Sequence, residues 1–83
     1  MAQIPTPEES AKQILDIFVS DFKLRAGESL MDKNLWHAFG KRGLRTEDLA
    51  AGLDYAVQKG WIEASDTSFG QHFKLTDAGF AAA

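Results

Sequence analysis

The chain has no cysteine among its 83 residues, so neither a disulfide nor a thiolate-bound metal supports its fold. We expect a cytoplasmic location, for which the absence of cysteine is typical. No apolar run is long enough to cross a membrane, and the N-terminus, MAQIPTPEES, lacks the basic and apolar segments of a signal peptide. One domain spanning residues 1–83 must therefore be stabilised by an ordinary hydrophobic core.

Excess positive charge is also missing. The formal net charge is -3, and six of the twelve acidic residues but only three of the nine basic residues precede Lys33. Proteins that bind nucleic acid mainly through charge neutralise phosphates with many lysines and arginines. The composition therefore argues mildly against a purely electrostatic nucleic-acid binder, although an acidic first helix could face away from such a ligand.

Motifs for catalysis and metal binding are absent as well. The sequence has no glycine-rich phosphate loop after a strand, no zinc-protease histidine pair and no cysteine nucleophile. His37 and His72 are far apart and have no metal-ligand spacing, and the adjacent Glu8 and Glu9 are explained by a helix start. We therefore expect a protein that is not an enzyme and that binds no cofactor and no metal.

The first helix is predicted from its capping sequence. Thr6 is a good N-cap, Pro7 suits the first helical position, and Glu9 completes a capping box. Apolar residues then recur at helical spacing, and Gly27 is expected to end the helix in a left-handed conformation. The predicted inner face consists of Ala11, Ile14, Leu15, Phe18, Phe22 and Ala26. Residues 1–5 are expected to be frayed.

Two apolar residues, Ile17 and Leu24, lie one heptad apart and away from that inner face. One interpretation is that the first helix is central and is covered on two sides by other elements. The other interpretation is that Ile17 and Leu24 form the interface of a homodimer.

The middle of the chain predicts a short edge strand over 28–31 and two further helices. Asp32 is a plausible N-cap for a helix over 33–41, and Thr46 for a helix over 46–59 that Gly60 ends. In the third helix we expect Leu49, Leu53, Ala56 and Val57 to face inward. The opposite side would then present Ala51, Asp54, Tyr55 and Gln58.

A β-hairpin follows, because WIEAS and QHFKL alternate apolar and polar residues around the loop 66–70. Ile62, Phe73 and Leu75 are the expected inward positions. Thr76 is expected to cap a final turn, with Phe80 closing over the core and 81–83 forming a tail. The predicted fold is mainly α with a small antiparallel sheet: three helices and a hairpin.

The segment KGWI, the short hairpin and the closing sequence LTDAG resemble winged-helix transcriptional regulators. The resemblance covers about residues 30–80, whereas the first helix matches only in type and place. It implies that the third helix enters the major groove of double-stranded DNA and that the hairpin, residues 65–72, forms the wing.

The resemblance also implies a set of DNA contacts, with Ala51 beside them on the same helix face. Four of these residues have an alternative interpretation: Lys41, Arg42 and Arg45 could be a solvated turn, and Tyr55 could anchor a protein or lie across the helix surface. Trp61 and Trp36 are expected to pack at the core or its rim rather than stack on a ligand. The implied contacts are Lys41, Arg42, Arg45, Thr46, Tyr55, Gln58, Lys59, Ser68, Gln71, His72 and Lys74.

The function that we expect from the sequence is DNA binding in transcriptional regulation, with specificity supplied either by the two half-sites of a homodimer or by a protein partner. The alternative is a winged-helix protein-interaction module that does not bind DNA. Its contact surface would be either the small residues around Tyr55, namely Ala51 and Gly52, or Phe69 at the wing tip, which could also tuck under the wing.

Overall fold

The computed structural model describes residues 6–68 and 70–83 of the chain. Helix α1, Pro7–Asp16, continues into a π-helical segment, Ile17–Asp21. The remaining elements are β1 (Ser29–Met31), α2 (Asp32–Lys41), α3 (Thr46–Gln58), β2 (Ile62–Thr67), β3 (Gly70–Leu75) and α4 (Asp77–Ala82). The predicted class is confirmed as helices with a small antiparallel sheet in a winged-helix-like layout.

The predicted start of α1 is confirmed in detail. Thr6 Oγ1 accepts a hydrogen bond of 3.1 Å from the Glu9 N–H, and Glu9 Oε1 accepts one of 2.8 Å from the Thr6 N–H. This reciprocal pair satisfies two donors that a helix start otherwise leaves free. Ala11, Ile14 and Leu15 are then buried, as their spacing predicts. Residues 1–5, predicted to be frayed, lie outside the described part of the chain.

The predicted end of the first helix at Gly27 is wrong. After Asp16 the helix widens, and the Phe22 N–H donates to the Ile17 carbonyl five residues earlier. Lys23 then adopts φ 54°, so it supplies the left-handed stop. Gly27, at φ 92°, instead turns the chain toward the sheet, where its N–H donates to the Leu75 carbonyl at 2.7 Å. The widened turn also leaves Phe22 38% exposed, although it was expected to face inward.

The burial of Ile17 corrects its assignment to a dimer interface. Ile17 is 0% exposed within the single chain, and Leu24 packs against the same core. A side chain that is already buried has no surface left for a second copy. The covering of the first helix therefore accounts for Ile17, whereas Leu24 is half-buried and its place in a dimer interface stays a prediction.

The three strands pair in the order β1-β3-β2, all antiparallel, so the predicted edge strand is confirmed. The hairpin is tighter than predicted because Asp66 pairs with Gln71 and Thr67 with Gly70. The connection between the strands is therefore shorter than the expected loop 66–70 and lies between Thr67 and Gly70. Phe69 itself lies outside the described residues.

The N-caps expected for the second and third helices are each displaced by one residue. Met31 and Arg45 occupy the cap positions, with extended backbones, and neither side chain makes a capping hydrogen bond. Thr46 is the first residue of α3, so it does not cap that helix. At the start of α3 a main-chain hydrogen bond satisfies the Asp48 N–H instead, because the Arg45 carbonyl accepts from it at 3.1 Å.

Helices α1 and α3 meet at a very close contact. Gly52 is buried against α1, and a Cβ placed on it would lie 2.8 Å from Ser10 C and 2.9 Å from Ala11 N. Both of these are backbone atoms that cannot easily move aside. The buried core around this contact comprises Ala11, Ile14, Leu15, Ile17, Phe18, Leu30, Leu35, Ala38, Phe39, Leu49, Ala56, Ile62, Phe73 and Leu75.

The C-terminal turn is capped as predicted, but its phenylalanine points outward. Thr76 Oγ1 accepts from the Gly79 N–H at 3.1 Å and lies 2.8 Å from the Trp61 carbonyl oxygen. Gly79 packs so closely on that carbonyl that a Cβ would overlap it. Phe80 is 43% exposed, so the expectation that it closes over the core is wrong.

Two helical glycines give a direct test of the α1–α3 contact. We expect Gly52→Ala to destabilise the protein by about 1–3 kcal/mol, because the added methyl must displace the α1 backbone. Gly40→Ala is the matched control, since a Cβ on Gly40 meets nothing within 4 Å. It should stabilise the fold by about 0.5–1 kcal/mol through helix propensity. Urea unfolding measures both changes, and equal effects would contradict the proposed packing.

Candidate functional site

The solvent-exposed face of α3 is rotated from the predicted one. It presents Thr46, Glu47, Ala50, Asp54, Val57 and Gln58, whereas Ala51 and Tyr55 are half-buried. Val57 was expected to face inward, but it is 42% exposed. The reason is geometric: each step of four residues advances about 40° around a helix, so Val57 lies about 80° away from the buried Leu49.

A groove runs between this face of α3 and the hairpin, with a volume of about 220 Å³. Its α3 wall carries Leu53 and Val57, and its hairpin wall carries Ala64 and Phe73. Because Ala64 is paired directly with Phe73 across the two strands, their side chains lie on the same face of the sheet. The full lining is Ala50, Leu53, Asp54, Val57, Ala64, Gln71 and Phe73.

The charges around this groove are negative. Asp54 lines it, and Glu47 lies two turns earlier on the exposed face of α3. Asp66 pairs with Gln71, which places its side chain on the groove side of the hairpin. No lysine or arginine is among the described residues that line the groove. The α3 groove therefore combines an apolar floor with carboxylates at its edge.

Arg45, a predicted DNA contact, is held by its own helix. Its Nε donates to Asp48 Oδ2 at 3.0 Å and its Nη2 to Asp48 Oδ1 at 3.1 Å, while Glu47 lies 3.8 Å away. The hydrogen bonds with Arg45 lower the pKa of Asp48 and raise the pKa of Arg45. The guanidinium is thus engaged in a two-point pair, and a phosphate would have to compete with Asp48 for it.

Arg42, the second predicted contact, clamps α2 to the end of α1. Its guanidinium donates to Gln13 Oε1 at 2.7 Å, to Asp16 Oδ2 at 2.9 Å and to Asp21 Oδ1 at 3.3 Å. Hydrogen bonds from Arg42 and Ser20 lower the pKa of Asp16. Burial alone would lower the pKa of Arg42, but its bonds to Asp16 and Asp21 outweigh that effect and raise it.

The other helical candidates do not form one basic surface. Lys41 lies beside Phe22 and His37 on the outer side of α2. Tyr55 and Gln58 border a shallow depression of about 320 Å³ that also includes Pro7 and Asp54. Lys59 lies over the Tyr55 ring, 5.6 Å from its centroid, while Thr46 is exposed at the start of α3.

The wing candidates are divided between the two faces of the hairpin. Gln71 faces the α3 groove, whereas His72 and Lys74 lie on the outer face, opposite Ser65 and Glu63. His72 Nε2 is buried without a hydrogen-bond partner in the described structure, so it is not presented to a phosphate. Ser68 is exposed at the hairpin turn.

The two tryptophans differ in environment. Trp61 packs against the core and meets Tyr55 edge-on, with 5.7 Å between ring centroids, and Lys12 Nζ lies 5.1 Å from its ring. The expected packing role of Trp61 is therefore confirmed. Trp36 is 53% exposed on α2, so the same expectation was wrong for Trp36.

Sequence reasoning missed most of the groove, because it assigned Leu53 and Val57 to the core and made no use of Ala50 or Ala64. One signal was available. Leu49, Leu53 and Val57 recur every four residues, and that spacing drifts around a helix rather than staying on one face. An apolar row of this kind connects the core with the surface.

Comparisons of the chain with protein-family models, with curated proteins and with solved structures find no match. No helix in residues 6–68 and 70–83 has the length and apolar character needed to span a bilayer. The same residues contain no group of three or more side chains suited to hold a metal ion.

The Arg42 clamp predicts a pH-dependent contribution to stability. A carboxylate with a lowered pKa stabilises the fold above its ordinary value of 3.8, and this contribution is lost as pH falls through the lowered pKa. We expect Asp16→Asn to cost about 0.5–1 kcal/mol at pH 7, a small value because Asp16 is largely exposed.

Urea unfolding of wild type and Asp16→Asn between pH 7 and pH 3 would measure this contribution. The difference in free energy of unfolding should shrink below about pH 4. Asp66→Asn, on the hairpin, is the exposed control and should show no comparable difference. A constant difference across the whole pH range would refute the clamp.

Proposed function

We propose that this protein is a protein-interaction module whose α3 groove binds a basic amphipathic segment of a partner protein. The observation that carries the proposal is the pairing of an apolar floor, formed by Leu53, Val57 and Phe73, with a carboxylate edge. An amphipathic helix or strand is recognised by a groove of this type, because its apolar side chains fill the floor while its polar side remains in water.

The charges favour a basic partner over DNA. Glu47 and Asp54 are the charged side chains on the exposed face of α3, and both would repel a phosphate backbone. The same carboxylates would attract lysine or arginine side chains, which increases the rate of encounter and selects the partner. Arg42 and Arg45, the strongest phosphate-binding candidates, already pair with carboxylates of this chain.

Apolar contacts supply the binding energy in this proposal. The exposed part of Val57 and the neighbouring Ala50 would be removed from water, at about 25 cal/mol for each Å² of apolar surface covered. The carboxylates lie at the edge of the groove, where solvent screens them, so each attraction is modest. A lysine in place of a carboxylate would lose that attraction and also repel the basic partner.

Binding to double-stranded DNA is the second candidate function. The observation that favours it is the winged-helix-like layout, in which α2, a short turn and α3 are followed by the hairpin. On this proposal the chain is a member of the winged-helix superfamily, and Lys41, Lys59 and Lys74 would have to supply the phosphate contacts. The three lysines are spread over separate surfaces, which makes this the weaker candidate.

A synthetic amphipathic peptide of leucine and lysine tests the first candidate by isothermal titration calorimetry. We expect wild type to bind it and Asp54→Lys to weaken binding about 10-fold or more, a change of about 1.4 kcal/mol. Glu63→Lys is the matched control, since it makes the same change in net charge on the outer face of the hairpin. It should alter affinity less than about 2-fold.

Binding of a labelled DNA duplex, measured in parallel, tests the second candidate function. Equal losses in Asp54→Lys and Glu63→Lys would show that the peptide responds to net charge alone and would refute the groove. Duplex binding that weakens steeply with salt and is lost in Lys41→Ala/Lys59→Ala/Lys74→Ala would favour DNA binding instead.

A further inference from the structure

Helix α2 carries a large aromatic side chain, Trp36, that is mostly exposed to solvent. Trp36 is 53% exposed and borders an open depression of about 410 Å³ together with Asp32, Lys33 and His37. Exposed tryptophan is uncommon on monomer surfaces, whereas tryptophan is enriched among the residues that dominate protein interfaces. This part of α2 is separate from the α3 groove.

A second depression continues the same surface on the other side of His37. It has a volume of about 580 Å³ and includes Phe22, which is 38% exposed, as well as Ala38 and Lys41. His37 borders both depressions, so two exposed aromatic side chains lie along one continuous surface. We call this surface the α2 face and define it as Phe22, Lys33, Trp36, His37, Gly40 and Lys41.

Gly40 supplies an independent observation on the α2 face. It lies one helical turn after Trp36, and a Cβ on Gly40 would meet nothing within 4 Å. Glycine in a helix is less favourable than alanine, and no described side chain or backbone packs against this position, the penultimate residue of α2. A glycine next to an exposed tryptophan allows the backbone of another molecule to approach closely.

The charges of the α2 face identify the chemistry of the partner. Lys33 and Lys41 are exposed and make no ion pair within the described residues. Asp21, the nearest acid on the second depression, is engaged by Arg42 at 3.3 Å. Asp32 also borders the first depression, so the two lysines leave a local excess of one positive charge in a protein whose net charge is -3.

From these observations we propose that the α2 face is a second docking surface and that it binds an acidic amphipathic helix of a partner protein. Trp36 and Phe22 contact the apolar side of that helix, and Gly40 lets its backbone come close. Lys33 and Lys41 pair with the partner's carboxylates. The proposal is independent of the α3 groove, which has the opposite charge.

Two other occupants fit the α2 face less well. A two-fold homodimer through this face would bring the same lysines of both copies together, because such an interface is self-complementary. Single-stranded nucleic acid would stack on Trp36, but two lysines supply few phosphate contacts. An acidic helix satisfies both the aromatic and the cationic residues.

Fluorescence of Trp36 reports on binding directly. In a Trp61→Phe variant, Trp36 is the remaining tryptophan, and we expect its emission to shift to shorter wavelength when a synthetic leucine and glutamate peptide of about four helical turns is added. The shift should saturate, and a leucine and lysine peptide of the same length should not produce it. No shift, or an equal shift with both peptides, would overturn the proposal.

Gly40→Gln separates docking from folding. We expect it to weaken peptide binding about 10-fold or more by blocking close approach, while thermal stability stays equal to or above that of Trp61→Phe alone. Lys33→Glu/Lys41→Glu should weaken binding similarly, whereas Asp54→Lys on the α3 groove should leave it intact. Unchanged affinity in Gly40→Gln would refute the assigned contact.

Two further measurements test the other occupants. Sedimentation of the protein without peptide should give a monomer, and a dimer that Trp36→Ala dissociates would assign the α2 face to a second copy. A fluorescent single-stranded oligonucleotide should bind no more tightly than the acidic peptide does. Tighter oligonucleotide binding that Trp36→Ala abolishes would overturn the proposal in favour of nucleic acid.

Discussion

The close contact of Gly52 with the α1 backbone determines how α3 presents its surface. Since a Cβ at position 52 would lie 2.8 Å from Ser10 C, this side of α3 must remain against α1. The opposite side of the helix, around Asp54 and Val57, then faces solvent and the hairpin. A rotation of α3 about its axis that buried Val57 would remove Gly52 from α1 and replace it with a larger side chain. The acidic, partly apolar character of the exposed face therefore follows from the position of one glycine.

The sequence was sufficient to predict the features that depend on local chemistry. The capping box at Thr6 and the capped turn at Thr76 were identifiable, because each is formed by residues close in the chain. The rotation of α3 was not predictable in this way, since it depends on a contact between residues more than 40 positions apart. For the same reason, nothing in the spacing of Arg42 indicated that it would reach Asp16 and Asp21.

The π-helical segment and the Arg42 clamp act on the same region of the molecule. By inserting an extra residue into the turn after Asp16, the segment changes the direction of the side chains that follow it. Ile17 and Phe18 stay in the core, whereas Phe22 moves to the surface beside α2. Arg42 joins Gln13, Asp16 and Asp21 across this widened turn and so holds α2 against it. Phe22 is thus exposed because the π-helical segment changes the direction of its side chain, although a phenylalanine at this spacing is expected to face the core.

The charged side chains around the α3 groove differ in sign from those on the α2 face. If the exposed residues served only solubility, acids and bases would be expected to mix over the surface, with exposed aromatic side chains kept few. Instead, carboxylates border the α3 groove, while Lys33 and Lys41 of the α2 face make no ion pair within the described part of the chain. The two arginines that could reverse this pattern are both engaged by carboxylates of the same chain. On the two docking proposals, the α3 groove and the α2 face would bind ligands of opposite charge, and the domain would connect one protein segment to another.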